Sequence, residues 1–124
     1  MKAISTPHAP AAIGPYSQAI DSGAGLLFLS GQLPINPATG AFPDGDIKVQ
    51  TRQSILNARA ILQEAGLALS NVVKTTVFLA DMGDFAAFNA VYGRYFVSKP
   101  ARSCVAVKSL PKNVLVEVEA IAEI

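Results

Sequence analysis

The fold is decided near the C-terminus, by Pro100-Ala101-Arg102-Ser103-Cys104-Val105-Ala106-Val107 and by Val116-Glu117-Val118-Glu119-Ala120-Ile121-Ala122-Glu123. Both runs alternate as half-buried strands do, so Arg102 and Cys104 share one face of the first strand. On the second strand the glutamates lie opposite the apolar face of Val116 and Val118. A guanidinium binds a planar carboxylate through two parallel hydrogen bonds, so an arginine beside an acidic group is suited to hold a small anionic substrate. The alternative is that these charges only face water on the outer side of an antiparallel sheet.

Composition predicts a single domain over residues 1–124 that associates with other copies of itself. A chain of 124 residues is large enough to bury about two-thirds of its unfolded surface around one core. Hydrophobic residues make up 51% of it and charged residues only 15%, which is apolar for a soluble domain. The excess apolar surface is expected to meet another subunit, most simply in a cyclic homo-oligomer.

Charge and hydropathy argue against several classes of partner and compartment. The formal net charge is +1 and no Lys/Arg tract is present, which argues against nucleic acid as a ligand. No apolar run reaches the roughly 18 residues that a membrane span needs, and the N-terminus lacks the basic-then-apolar order of a signal peptide. With its single cysteine, the chain is therefore expected to be cytoplasmic.

The rest of the chain predicts three further strands and two helices. Strands are expected at 16–20, 26–32 and 72–79, and helices at 47–65 and 84–97, after an irregular arm over residues 1–14. Asp46 is a candidate cap for the first helix, Gly66 is a suitable stop, and Pro100 follows the second helix. This order predicts a two-layer α+β fold, in which a mixed sheet carries both helices on one face and leaves the other uncovered. The strands that flank the first helix are candidates for parallel neighbours.

Few catalytic chemistries are compatible with this sequence. The only histidine, His8, lies in the arm beside a proline, which disfavours Ser-His-Asp and Cys-His catalysis. One histidine and one cysteine do not make the usual zinc sites, so no metal is expected. Gly23-Ala24-Gly25 lacks the third glycine of a dinucleotide fingerprint and no phosphate loop occurs, so no organic cofactor is expected either. Binding a small anion and positioning a water molecule remain.

Motifs along almost the whole chain resemble those of the RidA/YjgF family of small imine deaminases. All of them occur in order and at matching spacing. They are Gly14-Pro15-Tyr16-Ser17-Gln18-Ala19, Leu29-Ser30-Gly31-Gln32, Asn36-Pro37-Ala38-Thr39-Gly40, Val72-Val73-Lys74-Thr75-Thr76-Val77-Phe78-Leu79, Phe88-Asn89-Ala90-Val91-Tyr92, Pro100-Ala101-Arg102-Ser103 and Val116-Glu117-Val118-Glu119-Ala120-Ile121-Ala122.

The resemblance implies a chorismate-mutase-like α+β fold with a mixed six-stranded sheet, assembled as a homotrimer with sites between neighbouring subunits. It also implies hydrolysis of reactive 2-imino or enamine acids, such as 2-iminopropanoate and 2-iminobutanoate, to 2-oxo acids and ammonia. Arg102 would bind the substrate carboxylate, and Glu117 would hold the attacking water. Gly31 and Cys104 would contribute main-chain contacts, and the pocket would be lined by Tyr16, Ser30 and Asn89.

Several of these residues also have structural explanations that the sequence leaves open. Asn89 is expected on the buried stripe of the second helix, where its amide needs a partner in a subunit contact or in the ligand. Cys104 is expected to be a small buried residue rather than a nucleophile, and Glu119 to be structural. The alternative functions are a small-carboxylate-binding or chaperone-like interaction protein, or a pathway-specific relative such as a 2-aminomuconate deaminase.

Overall fold

Six strands form one sheet in the computed structural model, which describes residues 1–124. The spatial order is β1-β2-β3-β6-β4-β5, and only the pair β4–β5 is parallel. This arrangement confirms the predicted mixed six-stranded α+β fold with two helices. The elements are β1 (Lys2–Ile4), β2 (Ala19–Asp21), β3 (Leu26–Gln32), α1 (Ile47–Glu64), β4 (Val72–Leu79), α2 (Phe85–Tyr95), β5 (Ala101–Ala106) and β6 (Val116–Glu123).

The connection through α1 differs from the expectation that it joins parallel neighbours. It links β3 to β4, but β6 lies between these two strands and is antiparallel to both. The parallel neighbours are instead β4 and β5, which α2 connects. The C-terminal strand takes the central position because its apolar face, including Val116 and Val118, is fully buried against the rest of the core.

The N-terminal region also differs from the pattern. Lys2–Ile4 lies in the predicted irregular arm but pairs as an edge strand with β2. Residues 16–18 are outside the strand that was expected to begin there, because the Gln18 side chain bonds to a neighbouring segment of backbone. Gln18 Nε2 donates to Thr6 O at 3.1 Å and to Pro10 O at 2.8 Å, and Gln18 Oε1 accepts from Thr6 N at 2.8 Å.

Helix α1 has the boundaries that local chemistry predicts. The Asp46 side chain caps α1 by accepting from the backbone N–H groups of Lys48 and Val49, as expected. Gly66 has φ +77°, a left-handed conformation that glycine adopts readily, and α1 ends just before it. Helix α2 is shorter than predicted and packs through an aromatic ladder, in which the ring centroids of Tyr92 and Phe96 lie 4.5 Å apart.

The hydrophobic core lies between the helices and one face of the sheet. Val77, Val116 and Val118 are fully buried on that face. The opposite face is uncovered and carries large apolar side chains, with Phe28 43% exposed and Val105 47% exposed. No helix is both long and apolar enough to cross a lipid bilayer. The sheet therefore presents two chemically different surfaces, and the predicted site residues are divided between them.

Candidate functional site

The predicted site residues form two groups on opposite faces of the sheet. Arg102 pairs in register with Thr75, which is fully buried and faces α2, so Arg102 lies on the helix side. Glu117 lies between the buried residues Val116 and Val118 and therefore faces away from the helices. Arginine and glutamate are thus not neighbours within one chain, because they face opposite sides of the sheet and β4 lies between their strands.

The Arg102 guanidinium is held by α2. Its Nη1 donates to Asn89 Oδ1 at 2.6 Å. The Arg102 Cζ atom lies 4.8 Å from the centroid of the Tyr92 ring and 5.5 Å from that of the Phe85 ring. Each cation–π contact contributes about 0.5–2 kcal/mol, depending on desolvation. A guanidinium has five N–H donors, so the bond to Asn89 leaves a pair available for an anion.

The Tyr92 ring packs against the Arg102 guanidinium on the side of the core. Its hydroxyl lies 2.7 Å from Thr75 Oγ1. Burial raises the pKa of Tyr92, and the Thr75 hydrogen bond and the Arg102 charge oppose that rise. The phenol therefore stays neutral, and its ring serves as a flat support for the cation.

The Arg102 group lines an open cavity of about 600 Å³. Its other walls include Gly93, Phe96, Val97 and Lys99. Asn89 is exposed on this wall, which differs from its expected place on the buried stripe of α2. Asn89 directly follows the fully buried Phe88 and is turned about 100° from it around the helix. Its amide therefore lies at the edge of the buried stripe, where it accepts from Arg102.

Cys104 lies two residues after Arg102 on the same face and is half-buried. Burial raises the pKa of the Cys104 thiol, and the positive charge of Arg102 opposes this effect. The thiolate is the nucleophilic form of cysteine, so a raised pKa keeps this side chain unreactive at neutral pH.

The second group surrounds Glu117 on the uncovered face. A cavity of about 390 Å³ is lined there by Tyr16, Ser30, Gly31, Leu33, Pro111, Glu117 and Glu119. Ser30 Oγ donates to Ser17 O at 2.6 Å, which ties the segment that carries Tyr16 to β3. Tyr16 itself is 54% exposed at the mouth of the cavity.

The Glu117 carboxyl is in close contact with the backbone at Gly31. A Cβ added to Gly31 would lie 2.8 Å from Glu117 Cδ, so any side chain there would push the carboxyl away. The register between β3 and β6 shifts between Leu29 and Gln32, and this bulge brings Gly31 toward β6. Burial raises the pKa of Glu117, and the nearby Glu119 charge raises it further. This carboxyl is therefore poised to exchange a proton nearer to neutral pH than an ordinary glutamate.

Two features of the site were not predicted from the sequence. Tyr92 was not predicted as a site residue, although its position three residues after Asn89 indicates that both face the same neighbour. Lys99 and Lys112 have φ values of 55° and 57°, a left-handed conformation that is uncommon outside glycine. Lys99 lines the Arg102 cavity, and Lys112 directly follows Pro111, which lines the Glu117 cavity. No residue pattern foretells these two backbone conformations.

Comparison with known proteins gives matches over nearly the whole chain. A family described as Endoribonuclease L-PSP matches residues 6–124. A RutC family protein of Pasteurella multocida is 56% identical, over 98% of this chain and 96% of its own length. The 2-iminobutanoate/2-iminopropanoate deaminase of Escherichia coli strain K12 is 51% identical, over 98% of this chain and 96% of its own length.

Solved structures match the fold equally well. The structure of E. coli TdcF with bound serine has a TM-score of 0.95 and 45% identity, and the match covers 100% of this chain and 99% of that one. The E. coli YjgF gene product has a TM-score of 0.94 and 49% identity, with 99% of this chain and 98% of that one covered.

Proposed function

Because the chain belongs to the Endoribonuclease L-PSP family, which confirms the RidA/YjgF resemblance of its sequence, we propose that it hydrolyses small 2-imino acids. The products are a 2-oxo acid and ammonia, and the substrates are the 2-iminopropanoate and 2-iminobutanoate named for its E. coli relative. The proposal rests on the two cavities, because each of them offers one of the groups that this hydrolysis needs. The Arg102 cavity offers an anion-binding fork, and the Glu117 cavity offers a carboxyl with a raised pKa.

We propose that a second copy of the chain completes each site, in a homotrimer. The Arg102 cavity and the Glu117 cavity are the two halves of this site. Each half exposes large apolar side chains at its edge, as expected of surfaces that are covered in an assembly. Val97 is 74% exposed beside Arg102, and Ile13 is 85% exposed next to the segment that carries Tyr16. Joining the Arg102 face of one copy to the Glu117 face of another would cover these residues and bring the two functional groups together.

In the proposed mechanism, Arg102 binds the substrate carboxylate through two parallel hydrogen bonds, and Asn89 keeps the fork oriented. A water molecule held by Glu117 attacks C2 of the iminium, and the carboxylate accepts the proton that the water loses. Glu117 returns this proton to the nitrogen of the resulting carbinolamine. As ammonia leaves, the Glu117 carboxylate accepts the hydroxyl proton, which gives the 2-oxo acid, and this proton departs with ammonia as ammonium. A positioned general base of this kind typically contributes about 10²–10⁴-fold to the rate.

The bound serine in the solved TdcF structure supports a site of this size and charge, since serine is a small amino acid with a free carboxylate. The cavity beside Glu117, with a volume of about 390 Å³, has room for a molecule of this size. The family description names a ribonuclease, but the single histidine and the net charge of +1 do not favour phosphate chemistry.

The catalytic proposal is tested by forming the imine in place with an amino acid oxidase and trapping the unreacted imine with semicarbazide. Added protein is expected to increase release of the 2-oxo acid and decrease the semicarbazone. No increase, under conditions where the E. coli relative is active, refutes the proposal. The exposed apolar sheet face is the observation that favours the chaperone-like alternative. That alternative is supported if the chain suppresses aggregation of an unfolded client without hydrolysing imines.

The shared site is tested separately by mixing two inactive variants, Arg102→Ala and Glu117→Gln. When the two are unfolded and reassembled together in equal amounts, about a quarter of the subunit junctions receive both intact residues in a cyclic oligomer. We expect the mixture to recover a corresponding part of the parent activity, whereas each variant alone stays inactive. Mixing without any recovery contradicts a site built from two copies.

A further inference from the structure

Helix α1 buries a row of polar side chains where a helix normally buries apolar ones. Gln50, Thr51, Ser54 and Asn57 are each at most 4% exposed. The hydroxyls of Thr51 and Ser54 have no hydrogen-bond partner, whereas both amides bond to backbone outside the helix. A buried amide without a hydrogen-bond partner costs about 1–3 kcal/mol. The backbone segments that satisfy these two amides therefore show what the polar row of α1 holds in place.

Asn57 holds the chain that leaves β3. Its Nδ2 donates to Leu33 O at 3.0 Å and to Ile35 O at 2.9 Å. The orientation of this amide is fixed by Gln53, whose Nε2 donates to Asn57 Oδ1 at 2.9 Å. The two carbonyls begin two residues after Gly31, so Asn57 anchors the strand end against which the Glu117 carboxyl packs.

Gln50 holds the chain that enters β6. Its Oε1 accepts from Leu115 N at 2.8 Å, and Leu115 precedes Glu117 by two residues. Seven residues separate Gln50 from Asn57, which is two helical turns or about 10 Å along one face of α1. One rigid helix therefore contacts both strands, each at a point two residues away from the contact between Gly31 and Glu117.

We propose that Gln50 and Asn57 are positioning residues that set the distance between the Gly31 backbone and the Glu117 carboxyl. This inference rests on the proposed function for the role of Glu117 in catalysis, but the positioning itself is independent of it. Backbone packing at Gly31 shields one side of the carboxyl from water, so loosening either strand end exposes Glu117 further. Misplacing a catalytic group by about 1 Å can cost about 100-fold in rate.

The test uses Gln50→Met and Asn57→Leu, which keep side-chain volume and remove the hydrogen bonds. The matched control is Asn71→Leu, because Asn71 Nδ2 donates to Glu123 O at 3.2 Å, six residues or about 20 Å along β6 from Glu117. Two measurements apply to each assembled protein: titration of the Glu117 side-chain carboxyl by ¹³C NMR, and the separate determination of kcat and KM for imine hydrolysis.

We expect the pKa of Glu117 to fall in Gln50→Met and in Asn57→Leu, since water then reaches the carboxyl, with kcat lowered about 10- to 100-fold and KM changed less. The control is expected to leave the pKa of Glu117 unchanged and kcat within about two-fold of the parent value. The other ionisable groups on this sheet face include Glu119, Glu123 and Lys74, with Tyr16 at the cavity mouth, and none of them is altered.

The proposal is overturned if folded Gln50→Met and Asn57→Leu titrate like the parent, or if Asn71→Leu shifts the Glu117 titration equally. If Asn57→Leu does not fold, Gln53→Leu replaces it, because it removes only the bond that orients the Asn57 amide; a smaller shift in the same direction is then expected. A parent protein without deaminase activity refutes the proposed function alone, since the NMR titration still reports on positioning.

Discussion

The two halves of the candidate site hold their charged groups in opposite ways. The Arg102 guanidinium lies at a sheet edge, bonded to the exposed Asn89 and placed over the rings of Tyr92 and Phe85. The Glu117 carboxyl lies on the central strand β6, packed against backbone at Gly31 in a place where burial raises its pKa. The first arrangement keeps a permanent charge available for an anion, and the second makes a proton easy to move.

Under the proposed function, this difference explains why each half of the site requires the other. An oriented cation binds a carboxylate but has no means of activating water, and a shielded carboxyl activates water but repels an anionic substrate that has no counter-charge. The five predictions below test the division of labour between the two halves, and they are ordered from the largest expected effect to the smallest.

Arg102→Lys is expected to lower kcat/KM by about 10²–10⁴-fold, since a lysine cannot replace two parallel bonds that are each worth about 1.5–3 kcal/mol. The measurement is 2-oxo acid release from the imine formed in place. Arg59→Ala, which removes an exposed arginine from α1, is the control and should retain parent activity. A lysine variant as active as the parent would remove the anion-binding role from this half.

Glu117→Gln is expected to lower kcat by about 10²–10³-fold, because the amide cannot accept a proton from the attacking water. The dissociation constant for 2-oxobutanoate, measured by calorimetry, should change by less than about five-fold, since binding belongs to the Arg102 half. If binding weakens as much as turnover, the two halves do not divide the work as described.

Gly31→Ala is expected to lower kcat about 10- to 100-fold, since the new Cβ displaces the Glu117 carboxyl. Gly31 does not have a left-handed φ, so the effect comes from lost space and not from backbone strain. In a double-mutant cycle, adding Gly31→Ala to Glu117→Gln should have almost no further effect. Additive losses would show that Gly31 acts by another route.

The pH dependence of stability distinguishes the two halves without any assay of activity. Because burial raises the pKa of Glu117 in the folded chain, protonation stabilises the fold; this stability is complete below the unfolded glutamate pKa and is lost as pH rises through the folded value. Glu117→Gln should therefore melt at a higher temperature than the parent near pH 8 and converge with it near about pH 4. A constant difference across that range contradicts the prediction.

Cys104→Ser should change kcat by less than about three-fold, because the raised pKa keeps the thiol protonated and unreactive. Slow alkylation of the parent by iodoacetamide at neutral pH is the accompanying measurement. A loss of more than about 100-fold in the serine variant would indicate nucleophilic catalysis by this residue.

The elements that repeat a simple period were predicted well. Alternation defined β6 and the buried face of Val116 and Val118, and Asp46 and Gly66 marked the ends of α1. Short or irregular pieces were predicted poorly. Lys2–Ile4 becomes a strand only by pairing with β2, and residues 16–18 leave the strand because of hydrogen bonds made by Gln18. Such long-range partners leave no periodic signal in the local sequence.

The sequence by itself determined the fold class, the family and the residue types available for chemistry, because these depend on local periodicity and on motifs in order. Only the tertiary structure decided that Arg102 and Glu117 lie on opposite faces of the sheet. The reason is the insertion of β6 between β3 and β4, which aligns the buried residues of neighbouring strands and so fixes the face of every side chain between them.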